Sequence, residues 1–225
     1  MIRRLTTSLR LFRKLLGVYC IAPLLSIHPA SAFTSNPPQQ AAVEPANKAY
    51  IASLETYLNS VRTVRSSFVQ TASNGHVARG TIYLSRPGKL RINYKPPALL
   101  QIFGNSIWLI FVDEELKEVN QLPIGATPAS WLLQDKIHLS GDIKVQRVTR
   151  RNGLIRLHLI QAEEPDTGQF IVTIAAAPLS LRGWTVIDAQ GVETTVTLIA
   201  PTINRNIDDR VFEFTPPDWV YPQPE

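Results

Sequence analysis

The chain has 225 residues, with 23 Lys and Arg against 18 Asp and Glu, for a formal charge of +5. Five of the basic residues (Arg3, Arg4, Arg10, Arg13 and Lys14) fall in the first 32 positions, where no acid occurs, and the remainder balances at 18 against 18. The basic excess therefore gives no ground for nucleic-acid binding, and the single cysteine, Cys20, lies in the same segment, which excludes disulfide or thiolate chemistry from the rest of the chain.

Residues 1–32 read as a cleaved secretory signal peptide. The basic start is followed by an apolar run of 13 residues, Leu15 to Ile27, and by the small-x-small site Ala30-Ser31-Ala32. That run is too short for a spanning helix. Residues 33–47 are a linker rich in Pro, Gln and Ala. The folded domain is expected over residues 48–217, with 218–225 as a C-terminal tail.

A helix opens the domain, starting at Pro45 or Asn47. Tyr50, Leu54, Tyr57, Val61, Val64 and Phe68 recur at steps of four and three, with Glu55, Asn59 and Arg62 opposite. From Phe68 the period falls to two. Strands are predicted at Phe68–Ala72, Val77–Ser85, Lys89–Tyr94, Leu99–Phe103, Ile107–Val112 and Leu116–Leu122. Five more follow at Ile143–Thr149, Leu154–Gln161, Phe170–Ala176, Leu181–Asp188 and Thr194–Ile199. Turn signals separate them: Asn74-Gly75, Pro87-Gly88, Gly104-Asn105, Asn152-Gly153, Thr167-Gly168 and Gln190-Gly191. Between the two groups, Thr127-Pro128-Ala129-Ser130 reads as a helix start before Trp131-Leu132-Leu133. A weaker helical turn is expected at Asp208-Asp209 with Val211 and Phe212. No helix of crossover length joins the strands, so the sheet is antiparallel. About eleven twisted strands curl into a barrel too wide to fill with their own side chains. The expected fold is mainly β with helices: an unclosed antiparallel half-barrel whose helices cover the concave face.

The residues give no catalytic or metal constellation. His76 sits in a turn, His138 before a loop, and His158 alternates with Arg156 on an expected solvent face. The adjacent pairs Glu163-Glu164 and Asp208-Asp209 read as solvated carboxylates. The chain reads as a non-enzyme that needs no cofactor or metal. Ile82, Leu84, Leu90, Ile92, Tyr94 and Ile102, with Trp108, alternate onto one face, where they form core, a ligand surface, or both. Trp131, Leu132 and Leu133 either plug the barrel or line a site. Arg86 is either a surface hairpin residue or a donor to carbonyls of a lid. Leu99–Phe103 and Ile107–Val112 are apolar on both faces, which points to a second covered face, a binding surface or a partner site.

The run Gly80-Thr81-Ile82-Tyr83-Leu84, then Arg86-Pro87-Gly88-Lys89-Leu90-Arg91-Ile92-Asn93-Tyr94 and Pro96-Pro97, resembles the core motif of the outer-membrane lipoprotein carrier (LolA-type) family. Further resemblance lies in Phe68-Val69-Gln70, Pro128 to Leu133, Pro178 to Trp184, Asp188, Gly191 and Phe212 to Pro217. The chain departs from the family at Leu90 and Ile92, where aromatic residues are common, and after Trp108, which puts strand register near Asp113 in question. The resemblance implies a periplasmic, monomeric carrier that shields lipoprotein acyl chains between inner and outer membrane. Its partners would be acylated lipoproteins, an inner-membrane lipoprotein-releasing ABC transporter complex and an outer-membrane acceptor. Arg86 would latch the lid, and Ile82, Leu84, Leu90, Ile92, Tyr94, Ile102, Trp108, Trp131 and Leu132 would line the acyl cavity. A shuttle for a free lipid or glycolipid, and an envelope-sensing interaction protein, are the alternatives on the same fold.

Overall fold

The computed structural model describes residues 48–127 and 129–220. The predicted signal peptide and linker, the predicted helix start at Pro45 or Asn47, Pro128 and residues 221–225 lie outside the described residues. Helix α1 spans Lys48–Ser60. Six strands follow, β1 Thr63–Ala72, β2 Val77–Ser85, β3 Lys89–Tyr94, β4 Leu100–Asn105, β5 Trp108–Asp113 and β6 Glu118–Pro123. After a short helix α2, Ala129–Leu133, come β7 Ile143–Arg151, β8 Leu154–Gln161, β9 Gly168–Ala176, β10 Leu179–Asp188 and β11 Glu193–Ile203. All eleven form one antiparallel sheet in the order β6-β5-β4-β3-β2-β1-β11-β10-β9-β8-β7. The two meanders meet where β1 pairs with β11. The outer strands β6 and β7 are consecutive in the chain and do not pair, so the half-barrel stays open between them. Their connection carries α2 onto the face that α1 also covers. No helix among the described residues is long and apolar enough to cross a membrane.

The first helix is shorter than its periodicity predicts. Val61, Val64 and Phe68 continue a helical stripe, but the helix ends at Ser60 and the strand begins at Thr63. Val64, Ser66, Phe68, Gln70 and Ala72 are buried at a period of two, so the same residues satisfy both patterns. Pairing decides between them. The Asn204 carboxamide oxygen accepts from the Arg62 amide at 2.7 Å, and β1 then pairs along most of its length with β2 and β11. The β-branched Val61, Thr63 and Val64 suit the strand.

Five turn glycines adopt the positive φ expected of them: Gly75 at 84°, Gly88 at 73°, Gly153 at 72°, Gly168 at 145° and Gly191 at 78°. Gly104 does not: it stays in β4, and the turn falls two residues later, at Ser106-Ile107, with Ser106 at φ 72°. Leu99 and Ile107 consequently lie outside the strands assigned to them and are exposed. Asp113 pairs with Leu100 and Glu118, which fixes the register there. His158 is a further correction. It projects from the outer face as alternation requires, but it is buried rather than solvated. A bulge between Val145 and Arg147 brings Arg147 opposite it, Ile171 flanks it on β9, and its Nδ1 lies 3.2 Å from Gln169 Oε1.

The core sits on the inner face, between the sheet and α1, around Leu54, Leu58, Phe68, Ile82, Leu157, Phe170 and Ile174. A second, smaller core covers the other face of β4 and β5. There Phe103, Ile110 and Val112 pack against Val119, Phe214 and Trp219, with the Phe103 and Phe214 rings 5.3 Å apart. The two-faced apolar strands are thus covered by the segment after β11. That segment carries the short helical turn at Asp209–Phe212 and another at Asp218–Val220. Residues 218–220 accordingly pack as part of the domain rather than as a tail.

Candidate functional site

The inner face holds a cavity of about 190 Å³ with almost wholly apolar walls. Ile82, Leu84, Leu90, Ile92, Tyr94, Ile102 and Leu132 all line it. Leu133, singled out with Leu132, lines it too, whereas sequence reasoning missed Phe68, Leu109, Phe111 and Phe170, together with the second meander's Trp184, Val186 and Val196. Trp184–Val186 and Thr194–Val196 alternate as clearly as β2 and β3, and that alternation was the available signal. Two residues named for the lining are not in it. Trp108 sits at the start of β5, where Asn105 Oδ1 accepts its amide at 2.9 Å. That register turns Leu109 and Phe111 inward and leaves Trp108 on the outer side, 39% exposed. Trp131 instead stands edge-on to Phe170, with centroids 5.2 Å apart, in a neighbouring pocket.

Gly80 shapes the cavity wall. A Cβ there would lie 2.6 Å from the Phe68 ring, so its absence lets Phe68 and Tyr94 meet edge to face at 5.3 Å. The Tyr94 hydroxyl donates to Gln70 Oε1 at 2.7 Å, a polar pair at one end of an apolar space. Burial raises the Tyr94 phenol pKa far above its usual value, so it remains a donor.

Arg86 lies at the opposite end, 7% exposed. Its Nη1 donates to the carbonyls of Leu58 at 2.7 Å and Val61 at 3.1 Å, at the C-terminus of α1. Its Nε donates to the Gln134 carbonyl at 2.9 Å, just past α2. Its Nη2 donates to the Asp135 carbonyl at 3.1 Å and to Asn59 Oδ1 at 3.2 Å. A guanidinium has five N–H groups, and these five bonds use them all. Two of the acceptors are carbonyls at a helix end that has too few intrahelical donors of its own, and a cation there is favoured by the helix dipole. Burial draws the Arg86 pKa below its usual value, Arg62 adds to that and Asp135 opposes it. The polar side of α1 extends the contact. Asn59 exchanges two bonds with the Ile137 backbone, at 2.8 and 2.9 Å. Glu55 accepts from the Leu139 amide at 2.8 Å, and Arg62 pairs with Asp135 at 2.8 Å. These three residues were predicted to lie away from the core, and their stripe docks the chain that follows α2. Gly88, beside Arg86, donates its amide to the Leu133 carbonyl at 2.9 Å.

The profile of the family described as "Outer membrane lipoprotein carrier protein LolA" matches residues 59–215. The outer-membrane lipoprotein carrier protein of Methylococcus capsulatus is 28% identical over 176 residues, covering 74% of this chain and 84% of that protein. Its counterpart in Legionella pneumophila is 27% identical over 175 residues, covering 74% and 86%. Among solved structures, a LolA superfamily protein of Nitrosomonas europaea aligns with a TM-score of 0.41 at 11% identity, covering 72% of this chain and 97% of that one. The matched span runs from the end of α1 to the segment covering the second core, and the chain belongs to the LolA family of outer-membrane lipoprotein carriers.

Proposed function

We propose that this protein is a periplasmic carrier that takes acylated lipoproteins from an inner-membrane releasing complex, an ABC transporter, to an acceptor at the outer membrane. It makes and breaks no bond. The observation that carries this reading is an apolar cavity whose cover, α1 with the segment around α2, is tied to the sheet by one fully engaged arginine. Arg86 is the latch in this reading.

The closed cavity, about 190 Å³, is close to the size that holds a single small aromatic molecule. Several long acyl chains need the cover displaced. Burial of an acyl chain gains about 0.8 kcal/mol per CH₂. Opening the cover breaks hydrogen bonds to a charged group, at about 1.5–3 kcal/mol each. The two terms oppose one another, which keeps affinity low enough for hand-off.

Native mass spectrometry of the protein purified from a periplasmic extract, with the bound species fragmented, tests the reading. A triacylated lipoprotein peptide supports it. A free lipid or glycolipid moves the function to lipid shuttling on the same fold. Protein that remains empty, in the presence of lipoprotein and releasing complex, overturns it.

A further inference from the structure

Besides its apolar side chains and Tyr94, the cavity lining holds Gln70, Thr127, Asp188 and Thr194. Gln70 points inward from β1 and is 5% exposed. Its Oε1 accepts from the Tyr94 hydroxyl at 2.7 Å, which leaves its amide N–H₂ as the donor it can present to a ligand. Thr194, which also lines the cavity, has a buried hydroxyl with no partner among them. Gln70 pairs with Val196 across β1 and β11, and Ala72 with Thr194. Gln70 and Thr194 are therefore diagonal neighbours on one face, roughly 7–8 Å apart at the backbone.

This end is remote from Arg86. Thr63 pairs with Ser85, next to Arg86, and Gln70 is seven residues further along β1, roughly 23 Å at strand rise. Beyond it opens a groove of about 410 Å³ that shares Gln70 and Tyr94 with the cavity and mixes apolar walls, among them Val77, Leu99 and Leu116, with the charged Arg79, Lys95, Asp113 and Glu115. Gln70 and Tyr94 stand where the apolar cavity meets a groove that carries charged groups on partly apolar walls.

The Gln70 amide and the unpaired Thr194 hydroxyl call for an oxygen acceptor on the ligand. A hydrocarbon seated there leaves the Gln70 amide and the Thr194 hydroxyl unpaired, and a carbonyl satisfies them. We propose that Gln70, oriented by Tyr94 and assisted by Thr194, is the subsite for the ester or amide carbonyl that heads an acyl chain. The chain then runs toward Arg86, and the polar remainder of the ligand leaves through the groove. Tyr94 is the positioning residue, since its hydroxyl fixes which end of the Gln70 amide faces the ligand. The inference rests on the acyl-carrier reading and adds to it the orientation of the cargo.

The test is titration calorimetry of the purified protein with two probes, methyl decanoate and decyl methyl ether. They match in apolar length, and only the ester has a carbonyl. The ester is expected to bind up to about tenfold more tightly, the range of one or two neutral hydrogen bonds. Gln70→Leu and Thr194→Val should each shrink that ratio, with both probes titrated into the same variant and its fold checked separately by far-UV circular dichroism and a cooperative thermal unfolding transition. Tyr94→Phe should shrink it in part. Equal binding of ester and ether by the parent, or an unchanged ratio in both Gln70→Leu and Thr194→Val, overturns the subsite and leaves the acyl cavity standing. Binding of neither probe overturns the acyl reading together with the subsite.

Discussion

Arg86 is a cation with no carboxylate of its own. The nearby acid, Asp135, gives its carboxylate to Arg62 at 2.8 Å and only its carbonyl to Arg86. The guanidinium is held by oxygen dipoles from two separate segments, α1 and the chain after α2. Any change that removes it leaves both segments' carbonyls unpaired at the same time, at about 1–3 kcal/mol for each that stays dry. Lysine is no substitute, because three donors on one atom cannot reach acceptors spread across a planar fork. Arg86→Leu and Arg86→Lys should therefore raise amide exchange across residues 58–62 and 134–139 while β8 to β10 keep their protection. Uptake of an apolar dye should rise in both variants. Exchange that rises evenly over the sheet would mean that Arg86 holds the whole fold and not the cover. His158 offers a second test at this scale. Burial lowers its pKa from the ordinary 6.5, the Gln169 bond opposes this, and Arg147 and Arg156 add to it. The unfolded chain takes up the proton first as pH falls, so stability rises with pH in that window. The contribution is complete above the ordinary value and is lost as pH drops through the lowered one. Urea midpoints measured from about pH 8 to pH 5 should decline for the parent and decline less for His158→Gln.

At the scale of elements, the β2–β3 hairpin links the sheet to its cover. Gly88 has φ 73°, and a Cβ there would approach the Ser106 Cα to 2.6 Å. Gly75, in the β1–β2 turn, has φ 84° with nothing within 4 Å of such a Cβ. Gly75→Ala should cost only the left-handed term, about 1–2 kcal/mol. Gly88→Ala must also push β3 away from the β4–β5 turn and from the Leu133 carbonyl, so its loss in chemical denaturation should be clearly larger. Equal losses would show that Ser106 yields freely. The two hairpins also mark what could be read from sequence. Strands and turns were legible because alternation and Asn-Gly or Pro-Gly signals are local. The end of α1 was not, since Val61, Val64 and Phe68 fit both periods and only pairing with β11 selects one. Trp108 was misplaced because local alternation does not fix the register of β5, which pairing with β4 sets with Leu109 and Phe111 inward. Arg86 could be singled out, yet most of its acceptors could not. Four of the five are backbone carbonyls, which every residue offers, and topology alone brings them there.

Across the whole molecule, one pair of strands serves two cores. Ile102 and Phe111 point into the cavity, while their chain neighbours Phe103 and Ile110 point out under Phe214 and Trp219. Arg91 secures the outer layer. Its guanidinium lies 4.5 Å over the Phe103 ring and donates to the Val211 carbonyl at 3.2 Å. The segment after β11 thus shields an apolar face that would otherwise be exposed on a half-barrel with an open edge, a hazard for aggregation. Because the sheet separates the two cores, their tasks should separate as well. Phe103→Ala and Trp219→Ala should lower stability by about 2–4 kcal/mol and promote self-association, yet leave the affinity of the folded fraction for an acyl probe near that of the parent. Phe111→Ala should lower stability by a similar amount and alter acyl affinity too, because it changes the cavity wall itself. The comparison is made by pairing urea denaturation with probe titration for the three variants. If Trp219→Ala changed affinity as much as Phe111→Ala, the outer layer would be coupled to the cavity through β4 and β5. The segment after β11 would then be part of the opening mechanism and not only its shield.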